Sequence, residues 1–268
     1  MLARVLCAVA LCLVLVSCAR GLVGDRIVPG SAIPERYAAS ASRSIQVDLG
    51  DIRSITGCRV EYLSYRPLSA AVDSDPLVVL AHGFLRSHEH MDGLAQRIAA
   101  AGYRTASVRF CNSRIWAGRH RENGQDLVRV ADVLAAQEVV YVGFSAGGLS
   151  ALVAGRQDPR TRGIVALDLV DRDGLGFAVA SDLEPPVVGL FGDPSPCNAE
   201  NNGLAVLESH PGARVQRIPG ASHCDFETPS DWLCRLVCGK DVGSGQRRQT
   251  IIAATTDAVA ALLAHRGD

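Results

Sequence analysis

Lysine is almost absent from this 268-residue chain: Lys240 is the only one among 27 basic side chains, and with 28 acidic ones the net charge is −1. The arginine bias suits GC-rich coding and carries no functional signal. No basic block occurs, which argues against nucleic acid as a partner. Internal repeats are missing, and so is any composition shift marking a second globular unit, so one domain and a monomer are expected. The longest N-terminal apolar run, Val5 to Val16, is too short to span a bilayer as a mature helix. No two exported cysteines have the two-residue spacing of zinc knuckles, so neither a metal nor another cofactor is expected.

What the N-terminus does hold is a targeting pattern. Arg4 supplies a positive start, the apolar run follows, and Leu15-Val16-Ser17-Cys18 looks like the lipobox of bacterial lipoproteins, in which the cysteine becomes the acylated first residue. An ordinary cleaved secretory signal is the competing reading. Residues 1–17 then form the signal, 18–42 a Gly-, Pro-, Ala- and Ser-containing tether, and 43–268 the domain. Six cysteines remain after export: Cys58, Cys111, Cys197, Cys224, Cys234 and Cys238. An even set in an oxidising compartment points to disulfides.

Along the domain, Ser44 to Leu49 and Cys58 to Tyr65 alternate apolar and polar side chains, as half-buried antiparallel strands do. Leu77 to Leu80, Thr105 to Phe110, Val139 to Val142, Gly163 to Val170, Pro186 to Phe191 and Arg214 to Ile218 then read as strands of a mainly parallel sheet. Helical spacing falls between them, over His88 to Ala101, Asp126 to Ala136, Leu149 to Arg156, Gly203 to His210 and Thr250 to His265. The expected class is α/β: a parallel sheet flanked by helices, with two antiparallel leading strands. The connection from Asp171 to Pro185 leaves no room for a helical lid, so the site should lie open to solvent.

The chain is organised around Val139 to Gly148, where an apolar strand ends in Gly143-Phe144-Ser145-Ala146-Gly147 and a helix follows. A serine on so tight a turn needs small neighbours two residues to either side, and the turn lifts its hydroxyl above the sheet edge as a nucleophile. His223 lies in a loop after a late strand, where an imidazole can reach Ser145 as general base. His210 is the nearby rival, but Pro211 marks it as a helix end. His88, His90, His120 and His265 read as surface or structural. Ala81-His82-Gly83-Phe84 follows the first buried strand, so a backbone N–H from Phe84 or Leu85 can face that of Ala146 across an oxyanion hole. His82 is expected to shape that loop and transfer no proton.

Three carboxylates compete to orient His223. Asp168 ranks first, because a strand-end carboxylate is held rigidly and one inside so apolar a run needs a partner. Asp193, beyond the next strand, ranks second, and Asp171 third.

With these pieces placed, the chain resembles the α/β-hydrolase superfamily over nearly all of Ser44 to His265. The closest likeness is to the lid-less group that includes chlorophyllases, platelet-activating-factor acetylhydrolases and polyester hydrolases. The matching stretches are His82-Gly83-Phe84, Gly143 to Gly148, Ala166 to Asp171 and Ser222-His223-Cys224-Asp225-Phe226. The resemblance implies carboxylic-ester hydrolysis through an acyl-enzyme; the substrate would be a small or lipid-like ester. Acyl transfer or amide hydrolysis would use the same residues, and a hydrolase fold kept as a binding scaffold is the non-enzymatic alternative. In this fold Cys58 and Cys111 fall at the same end of two neighbouring strands, which makes their disulfide plausible. Among the other four, Cys234–Cys238 is the pairing least expected if that segment is helical, since β-carbons four apart on a helix lie beyond disulfide reach.

Overall fold

Continuous apolar runs must be covered on both faces, and those runs form the middle of the sheet. The computed structural model describes residues 44–68, 76–114, 117–238 and 243–265. The targeting segment and the whole of the tether lie outside these residues. The strands are β1 (Ile45–Arg53), β2 (Arg59–Pro67), β3 (Leu77–Ala81), β4 (Arg104–Arg109), a two-residue pair β5 (Ser113–Arg114) and β6 (Ala117–Gly118), β7 (Val139–Phe144), β8 (Thr161–Leu167), β9 (Val187–Phe191) and β10 (Ala213–Arg217). Eight of them make one sheet in the order β1-β2-β4-β3-β7-β8-β9-β10. β1 and β2 pair antiparallel to each other, β2 pairs antiparallel to β4, and every later pairing is parallel.

Alternate side chains of each central strand enter opposite cores. Val79 and Tyr141 face helices α2 (His120–Val133) and α3 (Ala146–Gln157), with Leu127, Val130, Leu149 and Leu152 packed against them. Val78, Leu80, Val140 and Val142 face the other way, onto α1 (Asp92–Ala100) and α7 (Ser244–Ala264) through Leu94, Ile98, Val259 and Leu262. Each such fully buried side chain contributes roughly 1.5–3 kcal/mol. Because β3, β7 and β8 run parallel as neighbours, their carboxyl ends emerge together, and the loops after them converge on one edge.

The structure departs from the sequence expectations in a few places. The connection after β8 carries a short helix, α4 (Leu175–Ala180), which buries Val179 and Ala180 against the core and is far too small to act as a lid. α2 and α7 each start six residues earlier than expected, because their first turns are largely polar and show no core spacing. α5 (Gly203–Glu208) stops before His210. A further helix, α6 (Trp232–Cys238), buries only Cys234 and leaves Trp232, Leu233, Leu236 and Val237 exposed. It is attached covalently: Cys224 pairs with Cys234 and Cys197 with Cys238, while Cys58 pairs with Cys111.

Candidate active site

The tight turn after β7 explains its own sequence. Ser145 sits at φ 54°, ψ −123°, a strained left-handed backbone for a residue with a side chain. A Cβ on Gly143 would lie 2.3 Å from the Gly147 carbonyl oxygen, and one on Gly147 would lie 2.5 Å from the carbonyl oxygens of Ala81 and His82. Only glycine fits either position without moving backbone. The turn is fastened by the Ser145 N–H, which donates to Leu167 O at 2.8 Å, and by the Gly148 N–H, which donates to Ser145 O at 2.9 Å.

His223 opens a short 3-10 turn, His223 to Phe226. Its Nε2 lies 3.1 Å from Ser145 Oγ, and its Nδ1 lies 2.6 Å from Asp168 Oδ2. The ring rests against Phe144, with centroids 4.7 Å apart. Asp225 holds this turn, accepting from the Ser222 N–H at 2.9 Å and from Arg247 Nε of α7 at 2.7 Å. Asp168 is fully buried, directly after β8. Its Oδ1 accepts the Gly192 N–H at 3.0 Å, and its Oδ2 also accepts from Asn198 Nδ2 at 3.1 Å. Ser145 and His223 are 7% and 8% exposed, so little of either side chain meets solvent.

The other candidates fall elsewhere. Asp193 accepts the Gly220 N–H at 3.1 Å, and Asp171 accepts the Arg172 and Gly176 N–H groups at 2.9 and 2.7 Å around the start of α4. His210 sits beside Pro185 O at 3.2 Å. His82 is locked into its loop, with Nδ1 at 2.8 Å from Gly83 O and Nε2 taking the Phe110 N–H at 3.2 Å. Burial pushes its pKa down to about 4, so it is a neutral brace near pH 7. Phe84, Gly83, Ala146, Gly147, Asn123 and Ser150 share the wall of a small cavity beside the Ser145 turn. Among the described residues no backbone bond uses the N–H of Phe84 or of Ala146. No group of three His, Cys, Asp or Glu among the described residues could hold a metal ion.

The backbone decides the architecture: eight strands in this order, with a serine elbow after the fifth strand of the sheet. The chain has the α/β-hydrolase fold. No family model and no curated protein matches this sequence. Solved structures do. A ferulic acid esterase from Streptomyces cinnamoneus is 20% identical with a TM-score of 0.60, covering 84% of this chain and 91% of its own. Est1E from Butyrivibrio proteoclasticus is 14% identical at a TM-score of 0.61, covering 81% of this chain and all of its own. A dienelactone hydrolase from Anabaena variabilis is 18% identical at 0.58, with 80% and 97% covered.

Three residues around the site were not anticipated from the sequence: Asn198 against Asp168, Arg247 against Asp225, and Arg86 against Glu227 and Asp231. Nothing in the local sequence around Asn198 marks it as the residue that faces Asp168.

Proposed function

We propose that this chain is an exported serine esterase that cleaves carboxylic esters through an acyl-enzyme. The observation that carries the reading is one imidazole standing between a hydroxyl at 3.1 Å and a buried carboxylate at 2.6 Å. In this reading Ser145 Oγ attacks the ester carbonyl while His223 Nε2 takes its proton. Asp168 accepts from Nδ1–H, which leaves Nε2 free to act as base, and it stabilises the imidazolium that forms. The N–H groups of Ala146 and Phe84 hold the oxyanion. His223 then protonates the leaving alcohol, and water drawn in by the same imidazole releases the acid.

The names of the ferulic acid esterase and of the dienelactone hydrolase support ester chemistry on this fold. Three disulfides support an extracellular or periplasmic location. We assign membrane attachment to a lipidated Cys18, residues 18–42 to the tether and 43–268 to the catalytic domain. Among the described residues no helix is long and apolar enough to cross a membrane.

The test is Ser145→Ala on a short-chain p-nitrophenyl ester. Turnover should vanish along with labelling by a fluorophosphonate probe, while the unfolding temperature stays close to wild type. A variant hydrolysing at the wild-type rate would sink the mechanism.

A further inference from the structure

Two residues past Phe84, the loop after β3 sends Arg86 across the site's edge. Its Nε lies 2.7 Å from Glu227 Oε1, and its Nη1 lies 2.8 Å from Asp231 Oδ2. Glu227 follows His223 by four positions, on the same loop, and its carboxyl is fully buried. Asp231 caps α6 by accepting the Cys234 N–H at 2.7 Å, and His90 Nε2 stands 3.3 Å from its other oxygen. The segment between them is fixed to the front of α1, where the Thr228 N–H donates to His90 O at 2.8 Å and the Gly93 N–H donates to Thr228 O at 2.7 Å.

On the other side of this guanidinium, His82 braces the base of the loop at Gly83, and beyond it the loop has few holds of its own. Phe84 and Leu85 are both exposed, at 41% and 58%. Leu85 has φ 56°, a conformation that costs a non-glycine residue on the order of 1 kcal/mol. One weak turn bond, Arg86 N–H to Gly83 O at 3.2 Å, closes the turn. A donor N–H contributes to oxyanion stabilisation only if it is held within about half an ångström of its productive place.

We propose that Arg86 is a positioning residue: through Glu227 and Asp231 it holds the Phe84 N–H in register with the loop that carries His223. This rests on the esterase reading above. The two halves of the site come from chain segments far apart in sequence, Arg86 and Asp231 being 145 residues apart, and these ion pairs join them without touching substrate. A buried carboxylate is costly unless it is paired, so leaving Glu227 alone would also disturb the loop that holds the imidazole.

The experiment compares Arg86→Met, Glu227→Leu, the double variant and Glu227→Gln. Turnover of p-nitrophenyl acetate is normalised to active sites counted with a fluorophosphonate, so a partly unfolded sample does not mimic a slow one. Arg86→Met should lose about 30–100-fold in kcat with KM within about threefold, a little less than removal of an oxyanion donor outright. Glu227→Leu should lose a similar factor, and the double variant no more than about twofold beyond either single one, because both changes cut the same tie. Glu227→Gln, which keeps the side chain's shape and a polar oxygen beside Nε, should stay within about fivefold of wild type. Should Arg86→Met fail to fold, Arg86→Lys serves instead. Its ammonium can meet one carboxylate but not both in the same geometry, and about tenfold is expected.

Full kcat per titrated site in Arg86→Met or Arg86→Lys, or losses that multiply in the double variant, would overturn the proposal. The phosphonylation rate of Ser145 follows the same oxyanion geometry, so it reads the clamp even if wild type turned over no ester. That last result would sink the esterase reading alone.

Discussion

Replacing Asp168 by Asn changes one atom in a carboxyl that faces three donors. Oδ1 receives the Gly192 N–H, and Oδ2 receives both His223 Nδ1–H and Asn198 Nδ2–H. An asparagine that keeps its oxygen toward Gly192 turns its NH2 toward the imidazole and toward Asn198. Two donors then meet at the Asn198 contact, and leaving them unpaired in a dry site costs about 1–3 kcal/mol of stability. At the imidazole the NH2 must donate to Nδ1, which moves the ring proton to Nε2. Ser145 Oγ, at 3.1 Å, then faces an N–H instead of a base. The expected fall in kcat at neutral pH is about 10⁴-fold, or about 5 kcal/mol in the barrier. The assay is turnover of p-nitrophenyl acetate per titrated site at pH 7, with Asp193→Asn alongside. Asp193 reaches the Gly220 N–H and not His223, so its variant should stay within about threefold of wild type. If Asp193→Asn collapses the rate and Asp168→Asn does not, the acid has been placed on the wrong strand.

Burial raises the Glu227 pKa from 4.5 to about 7, against the opposing pull of Arg86. A carboxyl whose folded pKa is raised gives stability that is present below its unfolded pKa and lost as pH rises through 7. Relative to wild type, Glu227→Gln should therefore gain up to about 3 kcal/mol between pH 4.5 and 8, read as denaturant midpoints across that range. A difference that stays flat with pH would refute the assignment. For the targeting segment, Cys18→Ala should move the protein from the membrane fraction to the soluble exported fraction; a mature N-terminus at any other residue would count against lipidation.

Much of the sheet was legible because its central strands are covered on both faces, which leaves unbroken apolar runs such as Leu77 to Leu80. The elbow was legible for a different reason: Gly143 and Gly147 are demanded by backbone atoms only 2.3 and 2.5 Å from where a Cβ would be, and sequence records that demand directly. Asp168 and Asp193 carry nearly the same local signal, each following a parallel strand, and only the path of the loops separates them. Asn198, Arg86 and Arg247 were not legible at all. Each is a polar side chain on a loop or a helix end whose partner is distant in sequence, and no periodicity marks it. α6 escaped because it does not fold by burying an apolar face, so the spacing that reveals helices such as α1 is not needed there.

The two cross-links at α6 are nested. Cys224–Cys234 lies wholly inside the ring closed by Cys197–Cys238, whose ends are 41 residues apart. That outer ring begins beside Asn198, runs through β10 and carries His223. On a chain-entropy view, closing a loop of this length removes roughly 4 kcal/mol of freedom from the unfolded chain. When heat or denaturant opens the sheet, the imidazole therefore cannot diffuse far from the turn that grips its carboxylate. The search that rebuilds the acid–base pair is confined to a small volume, and local melting at this edge leaves a short way back.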